Sequence, residues 1–341
     1  MVLLTPSKPS ESVAFRAAQS ELQPAHNFKM QIIDTACRFV QRHAVWFWAA
    51  ALFIGLAFQE LAHLVRPVVF PLAVMTMMMT MTRVDWMDVL VFARRPGLWL
   101  TIGLMTMVIA PIGIWGLLQI IGVSGAPATG IVLVAAAPPL LSSLTYSIFL
   151  GLEGALAVTV SVPLNLISPL VLPFLLIEIL ELDLTLSLET LTWRLALMVG
   201  LSFGGAWVIR RLKPAISRAS HAHYTESAMV LFMTTFGIGV MDGVVAVIAA
   251  EPLKVFTFAL IAVGINAGLQ LFGIVVTWRL GRKIALTSGL VVGCRNVMLV
   301  IGAVATTAQP DLMLYLVVSQ LPLYVFPALQ RPLCRWLLRD T

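Results

Sequence analysis

Charge is what this chain of 341 residues has least of: Asp, Glu, Lys and Arg together make 11%, against roughly 25% in a soluble domain. That excludes an ordinary water-soluble core with a charged skin. Cysteine is scarce too. Cys37, Cys294 and Cys334 are scattered, with no Cys-x-x-Cys and no His at ligand spacing, so neither a disulfide framework nor a zinc site is expected and all three read as free thiols. Within the apolar runs there is no Ser-His-Asp or Cys-His arrangement, no di-aspartate pair and no His-Glu-x-x-His motif, and neither a selectivity loop nor a ring of charge. An enzyme, a resident cofactor or metal, and a channel are therefore not expected. The isoelectric point near 9.6 does not signal nucleic acid, because the basic residues cluster at the ends of apolar runs.

What is present is apolar: 60% of residues are hydrophobic and the mean hydropathy is +0.96. Runs long enough to cross roughly 30 Å of hydrocarbon recur along the chain. Ten are read, at 45–65, 67–81, 98–121, 128–150, 155–180, 191–209, 227–249, 253–276, 284–307 and 312–329. The second is short and rich in Met, and residues 85–93 after it read as an interfacial piece. Residues 1–44 read as a cytoplasmic tail without a signal peptide, in which 28–42 is a lead-in helix or lies on the membrane surface. Of the Lys and Arg at span ends, only Arg66, Arg194 and Lys254 fall on the far side. Both termini are thus expected inside a multi-pass inner or plasma membrane protein.

The acidic loop Glu178, Glu181, Asp183 and Glu189 divides the spans into two fives, at 45–182 and 183–338. An odd number per half makes any repeat inverted, a geometry used by many secondary transporters. The expected fold is all-α, ten transmembrane helices in two inverted five-helix repeats. The fourth span of each half is interrupted at mid-depth. In the first half, Pro138 and Pro139 follow Ala137 and precede Ser142 and Ser143; in the second, Gly293, Cys294, Arg295 and Asn296 stand together. Proline removes a backbone donor, and broken backbone at membrane depth survives only where it is buried in protein or lines a cavity. An Arg at that depth costs roughly 2.5 to 3.5 kcal/mol on insertion scales, so Arg295 is expected to face protein, water or an anion. Paired interruptions of this kind point to a transport site.

On these residues the chain resembles the bile acid:sodium symporter family, over roughly residues 46–335. The stretches that carry the likeness are 71–96, with its Met-rich span ending in Arg94, Arg95 and Pro96; 137–173, with Ser143, Ala155 to Val158, Ser168, Pro169 and Pro173; and 289–302, with Gly293 and Asn296. The resemblance implies interleaved panel and core domains, with crossing broken helices whose oxygens hold two sodium ions. Laid on that family's motifs, Ser143 and Asn296 are kept and Gly293 matches. An Asn ligand becomes Leu144, a Glu becomes Val291 and a Gln becomes Arg295. Ligands in the fifth and third spans fall on Ala157, Ser161 and Thr106. Sodium needs oxygen ligands and usually some negative charge, and a guanidinium repels it. The expectation is an alternating-access carrier of a small organic anion, with Arg295 standing in for the charge that sodium brings. The alternatives are a sodium-coupled symporter with rebuilt ion sites and a non-transporting anion receptor.

Arg295, Asn296, Ser143, Asn266 and Gln270 are the candidate substrate contacts. Asn266 and Gln270 lie four apart and so share one helix face. Asp242 is the only acid well inside a run, and reads as a partner of Arg295, a proton carrier or an interfacial group. Glu60 and His63 read as an exposed pair, and Glu153 as a cap at the start of the fifth span. Met75, Met77, Met78, Met79 and Met81 read as lipid-facing or as an adaptable substrate wall.

Overall fold

Helix is the only regular structure a chain this apolar can use at membrane depth without a closed barrel, because every amide must be bonded within its own segment. The computed structural model describes residues 31–84, 87, 90, 94–182, 186–217, 222–304 and 309–339, and among these it has helices and a single isolated β-bridge. In chain order the helices are α1 (Gln31–Arg42), α2 (Ala44–Ala57), α3 (Gln59–Val65), α4 (Val69–Thr82), α5 (Pro96–Ile120), α6 (Gly125–Ala136), α7 (Ser143–Leu150), α8 (Gly154–Ile179) and α9 (Leu188–Leu212). Then come α10 (Ala222–Gly239), α11 (Val244–Ala250), α12 (Pro252–Leu280), α13 (Arg282–Gly293), α14 (Val297–Val304), α15 (Pro310–Val318) and α16 (Leu321–Leu337).

Among the described residues, six helical runs are long and apolar enough to cross a bilayer, or up to eight if α1 with α2 and α10 with α11 each count as one bent span. Their outer faces expose large apolar side chains such as Phe53, Leu64, Leu170 and Val275. This is the make-up of a multi-pass, all-α membrane protein. The runs at 128–150 and 284–307 are each split into two short helices, α6/α7 and α13/α14. The boundary between the first two runs lies elsewhere than expected. The chain breaks at Phe58, and 59–82 continues through Arg66 and Pro67 as one helical stretch, because Pro67 sits in the first turn of a 3-10 segment, where its missing amide costs nothing.

The helices form two packed groups. In one, α10 lies against α2 and α4, and α9 against α4. In the other, α12 lies along α13, α5 and α15 against α6, and α7 and α13 against α8. The α12–α13 contact is backbone on backbone: a Cβ at Gly273 would come within 2.8 Å of the Gly289 Cα. Contacts of α16 with α2 and of α9 with α8 and α14 join the groups.

Several sequence expectations change here. Asp242 lies in the turn between α10 and α11, with its carboxylate 3.0 Å from Arg66 and 3.3 Å from His63. Its ion-pair partners are thus Arg66 and His63 rather than Arg295, and it stands in a turn rather than inside a helix, which ends at Gly239. His63 is accordingly Asp242's partner rather than Glu60's. Glu153 makes no side-chain cap; its carboxylate reaches across to Lys283 at 2.8 Å. Met77 and Met81 are buried rather than lipid-facing, and only Met75 of the five is well exposed. The tail before residue 31, the interfacial piece 85–93 apart from residues 87 and 90, Asp183, and the end of the ninth run at 305–307 lie outside the described residues.

Candidate functional site

The two helix breaks meet and pair. Leu140 donates its amide to the Cys294 carbonyl at 2.9 Å, and Asn296 donates to the Pro138 carbonyl at 2.8 Å, making a one-rung antiparallel bridge of Pro139 with Arg295. Each break thus supplies partners that the other lost on leaving the helix, as buried backbone requires. Side chains complete the work. Asn266 on α12 donates to the Gly293 carbonyl at 3.0 Å, and Asn165 on α8 donates to the Pro139 carbonyl at 2.8 Å. The N-terminal ends of α7 and α14 and the C-terminal ends of α6 and α13 all converge on this crossover.

Arg295 is 1% exposed. Its Nη1 donates to the carbonyls of Thr106 at 2.8 Å and Ala137 at 3.1 Å. Both acceptors are free for stated reasons. Ala137 is where α6 ends. At Thr106, α5 widens into a π-turn over Met105–Ile109 in which the Ala110 amide bonds Met105, and Pro111 next along has no amide to offer. The guanidinium therefore sits against two helix-terminal or helix-bulge carbonyls, the negative end of the local dipoles. Its Nε and Nη2 are buried and unpartnered, and among the described residues no acid is within ion-pair reach of it. Arg295 borders a crevice of about 10 Å³ lined also by Asn266, Gly293, Tyr315 and Ser319, room for no more than about one water.

The other candidates fall into two hydrogen-bonded sets around Arg295. Ser143 and Ser161 share a bond of 3.1 Å, and Asn165 links the Ser161 carbonyl to the crossover while accepting from Asn296 Nδ2 at 3.0 Å. On the α12 side, Gln330 donates to Gln270 at 2.6 Å, Gln270 donates to Asn266 at 2.8 Å, and Asn266 reaches the crossover. Gly293 is compulsory there, since a Cβ would collide with the Gln270 side chain and lie 3.0 Å from the Asn266 carbonyl. Val291 and Ala157 sit together in an apolar cluster with Leu156, Val160 and Val292, with no oxygen ligand turned inward from either. Leu144 packs on the main core.

Asn165, Tyr315 and Gln330 are site residues that the sequence reading passes over. Asn165 does leave a signal: it is the one carboxamide in its run, between Pro163 and Pro169. Pro169 cannot donate to the Asn165 carbonyl, and the Ser168 hydroxyl does so instead at 2.8 Å. Replacing Asn165 with Leu removes the donor to Pro139 and the acceptor for Asn296 while leaving both buried. We expect a loss of ~2 to 6 kcal/mol, from about 1 to 3 for each of the two stranded groups, read as a lower melting temperature of the purified protein; an unchanged melting temperature contradicts this role.

Comparison with protein-family models and with curated proteins finds no match to the chain.

Proposed function

We propose that the protein is a secondary carrier that moves a small organic anion by alternating access. On this reading it has ten spans in two inverted repeats, counting α6/α7 and α13/α14 as one broken span each, with both termini in the cytoplasm. It belongs with the bile acid:sodium symporters in design but runs without their usual sodium coupling, and it is a carrier rather than an enzyme. The observation that carries the reading is Arg295: a guanidinium buried at paired helix breaks beside a small crevice, with two nitrogens that have no partner and, among the described residues, no acid to neutralise it. A charge so placed is expensive, and an anionic ligand is the partner that offsets its cost.

The same geometry disfavours a bound sodium. The carbonyls of Thr106 and Ala137, which a hard cation would seek, are taken by Arg295, and the positions of Val291 and Ala157 are apolar. The first test is uptake of a panel of labelled carboxylates into proteoliposomes under an imposed gradient. Anion-dependent stabilisation without uptake of any member would make the protein a receptor. Sodium and potassium at 300 mM and matched ionic strength are expected to give the same melting temperature. A millimolar sodium site would separate them by ~3 kcal/mol of stability, and that outcome restores the symporter with rebuilt sites.

A further inference from the structure

Several cations near helix ends are matched by acids: Arg38 by Asp34, Arg83 by Glu226 and Lys283 by Glu153. Arg210 and Arg211, in the last turn of α9, are not. Among the described residues neither has an acid within ion-pair reach. With Met81 of α4 and Phe203, Ala206 and Trp207 of α9 they line a groove of about 350 Å³. Residues 203, 206, 207 and 210 step by three and four and so share one helix face. The groove therefore grades from apolar at Phe203 to basic in the last turn, over about 10 Å along the helix. Arg210 Nη1 donates to the carbonyls of Val84 at 2.7 Å and Thr82 at 3.3 Å, at the end of α4. Those acceptors are uncharged. They fix the side chain while leaving its charge unmatched, and its Nε and Nη2 have no partner among the described residues. The Arg211 guanidinium lies 5.4 Å from the centre of the Trp207 ring, which is well exposed.

α9 is 25 residues long, roughly 37 Å at 1.5 Å per residue, against a hydrocarbon core of roughly 30 Å. Its last turn thus emerges at headgroup level, where Trp and Arg are at home. Leu201, Val208 and Leu212 are exposed on the same helix, so the space beside the groove is lipid. A small soluble anion would match the guanidiniums and leave Phe203 and Met81 bare. A zwitterionic lipid would cover the apolar part but bring its own cation to the two arginines. We propose that this groove between α4 and α9 holds a phospholipid of net negative charge, its phosphate oxygens against Arg210 and Arg211 and an acyl chain along Phe203 and Met81. Guanidinium and phosphate pair through charge-assisted hydrogen bonds, and the anchoring of Arg210 by α4 lowers the ordering cost of binding. This site needs only that α9 spans a bilayer, and owes nothing to Arg295 or to which side the termini face.

The test titrates the purified full-length chain in neutral detergent with phosphatidylglycerol, with phosphatidylcholine and inorganic phosphate as controls, and reads melting temperature and the lipid retained in native mass spectrometry. Phosphatidylglycerol is expected to raise the melting temperature and to stay bound as a single copy, at least about ten-fold more tightly than either control, with a gain that falls as salt is raised. Arg210→Gln and Arg211→Gln are each expected to weaken it about five- to ten-fold. Arg210→Gln also loosens the end of α4 and lowers the baseline melting temperature. Arg211→Gln is the cleaner variant, since Arg211 makes no hydrogen bond or ion pair among the described residues. Arg279→Gln, at an exposed arginine near the end of α12 and outside the groove, controls for charge alone and is expected to bind as the wild type does. Three results overturn the site: a response to phosphatidylcholine or phosphate equal to that for phosphatidylglycerol, full retention of phosphatidylglycerol by Arg211→Gln, or an equal loss in Arg279→Gln, which would mean diffuse attraction rather than a groove.

Discussion

Arg295→Gln abolishes anion uptake, by our expectation a fall of about 100-fold or more, while the protein still folds. The variant keeps one amide to offer Thr106 or Ala137 but loses the charge and the two unpartnered nitrogens. Hydrogen bonds to charged groups contribute ~1.5 to 3 kcal/mol each, and two of them correspond to roughly two to four powers of ten in affinity. Arg295→Lys separates charge from geometry. An ammonium can bond the two carbonyls, but it lacks the planar fork that reaches carbonyls and ligand together, so uptake is expected to stay at least about ten-fold down. Initial rates in proteoliposomes decide the matter, and uptake by Arg295→Gln at the wild-type rate removes the anion role.

The largest structural effect is expected at Gly289. A Cβ there would lie 2.6 Å from the Gln270 carbonyl oxygen, and one at Gly273 opposite would lie 2.9 Å from the Ser288 carbonyl oxygen. These neighbours are backbone and cannot swing aside. Overpacking of this sort costs ~1 to 3 kcal/mol even where side chains can adjust, so Gly289→Val is expected to exceed that and to yield little folded protein. Because Gly293 follows on the same face, the forced separation also lifts Asn266 from the crossover. Gly200→Ala and Gly204→Ala are the controls. Nothing lies within 4 Å of either position, and Ala in a helix is favoured over Gly by roughly 0.5 to 1 kcal/mol. Folded yield by gel filtration reads all three, and a normal yield for Gly289→Val would mean that α12 and α13 have another way to pack.

How much of this was legible in the letters depends on what kind of atom does the work. Pro138, Pro139 and Arg295 announce themselves, because a missing amide and a charge are expensive in hydrocarbon wherever the fold puts them. The pairing of the two breaks is backbone to backbone, and no letter specifies it. Thr106 was marked only as the position of a third-span ligand in the resemblance; its hydroxyl bonds Ile102, and it is the carbonyl, which every residue has, that meets Arg295. Asp242 shows the opposite fault: its depth was inferred from hydropathy, which does not see the turn that ends α10 at Gly239. The break at Phe58 was invisible for a related reason, since hydrophobic residues run through it on both sides. Asn165 was available by composition, but its three bonds join elements whose adjacency only the fold provides.

The rung between Pro139 and Arg295 also constrains how the molecule can be made. Ala137 and the guanidinium that bonds its carbonyl are 158 residues apart in the chain. Synthesis runs from the N-terminus at about 5 to 20 residues per second, so the first break waits on the order of ten seconds or longer before its counterpart exists. Through that interval the carbonyls of Ala137 and Pro138 lack the donors that Arg295 and Asn296 later bring. Bare carbonyls of this kind are not tolerated against lipid, so the nascent first half has to hold α6 and α7 near water or within the insertion machinery. Ribosome stalling between α8 and α12 should therefore trap a species whose fourth span is still open to membrane-impermeant thiol reagents at an introduced cysteine.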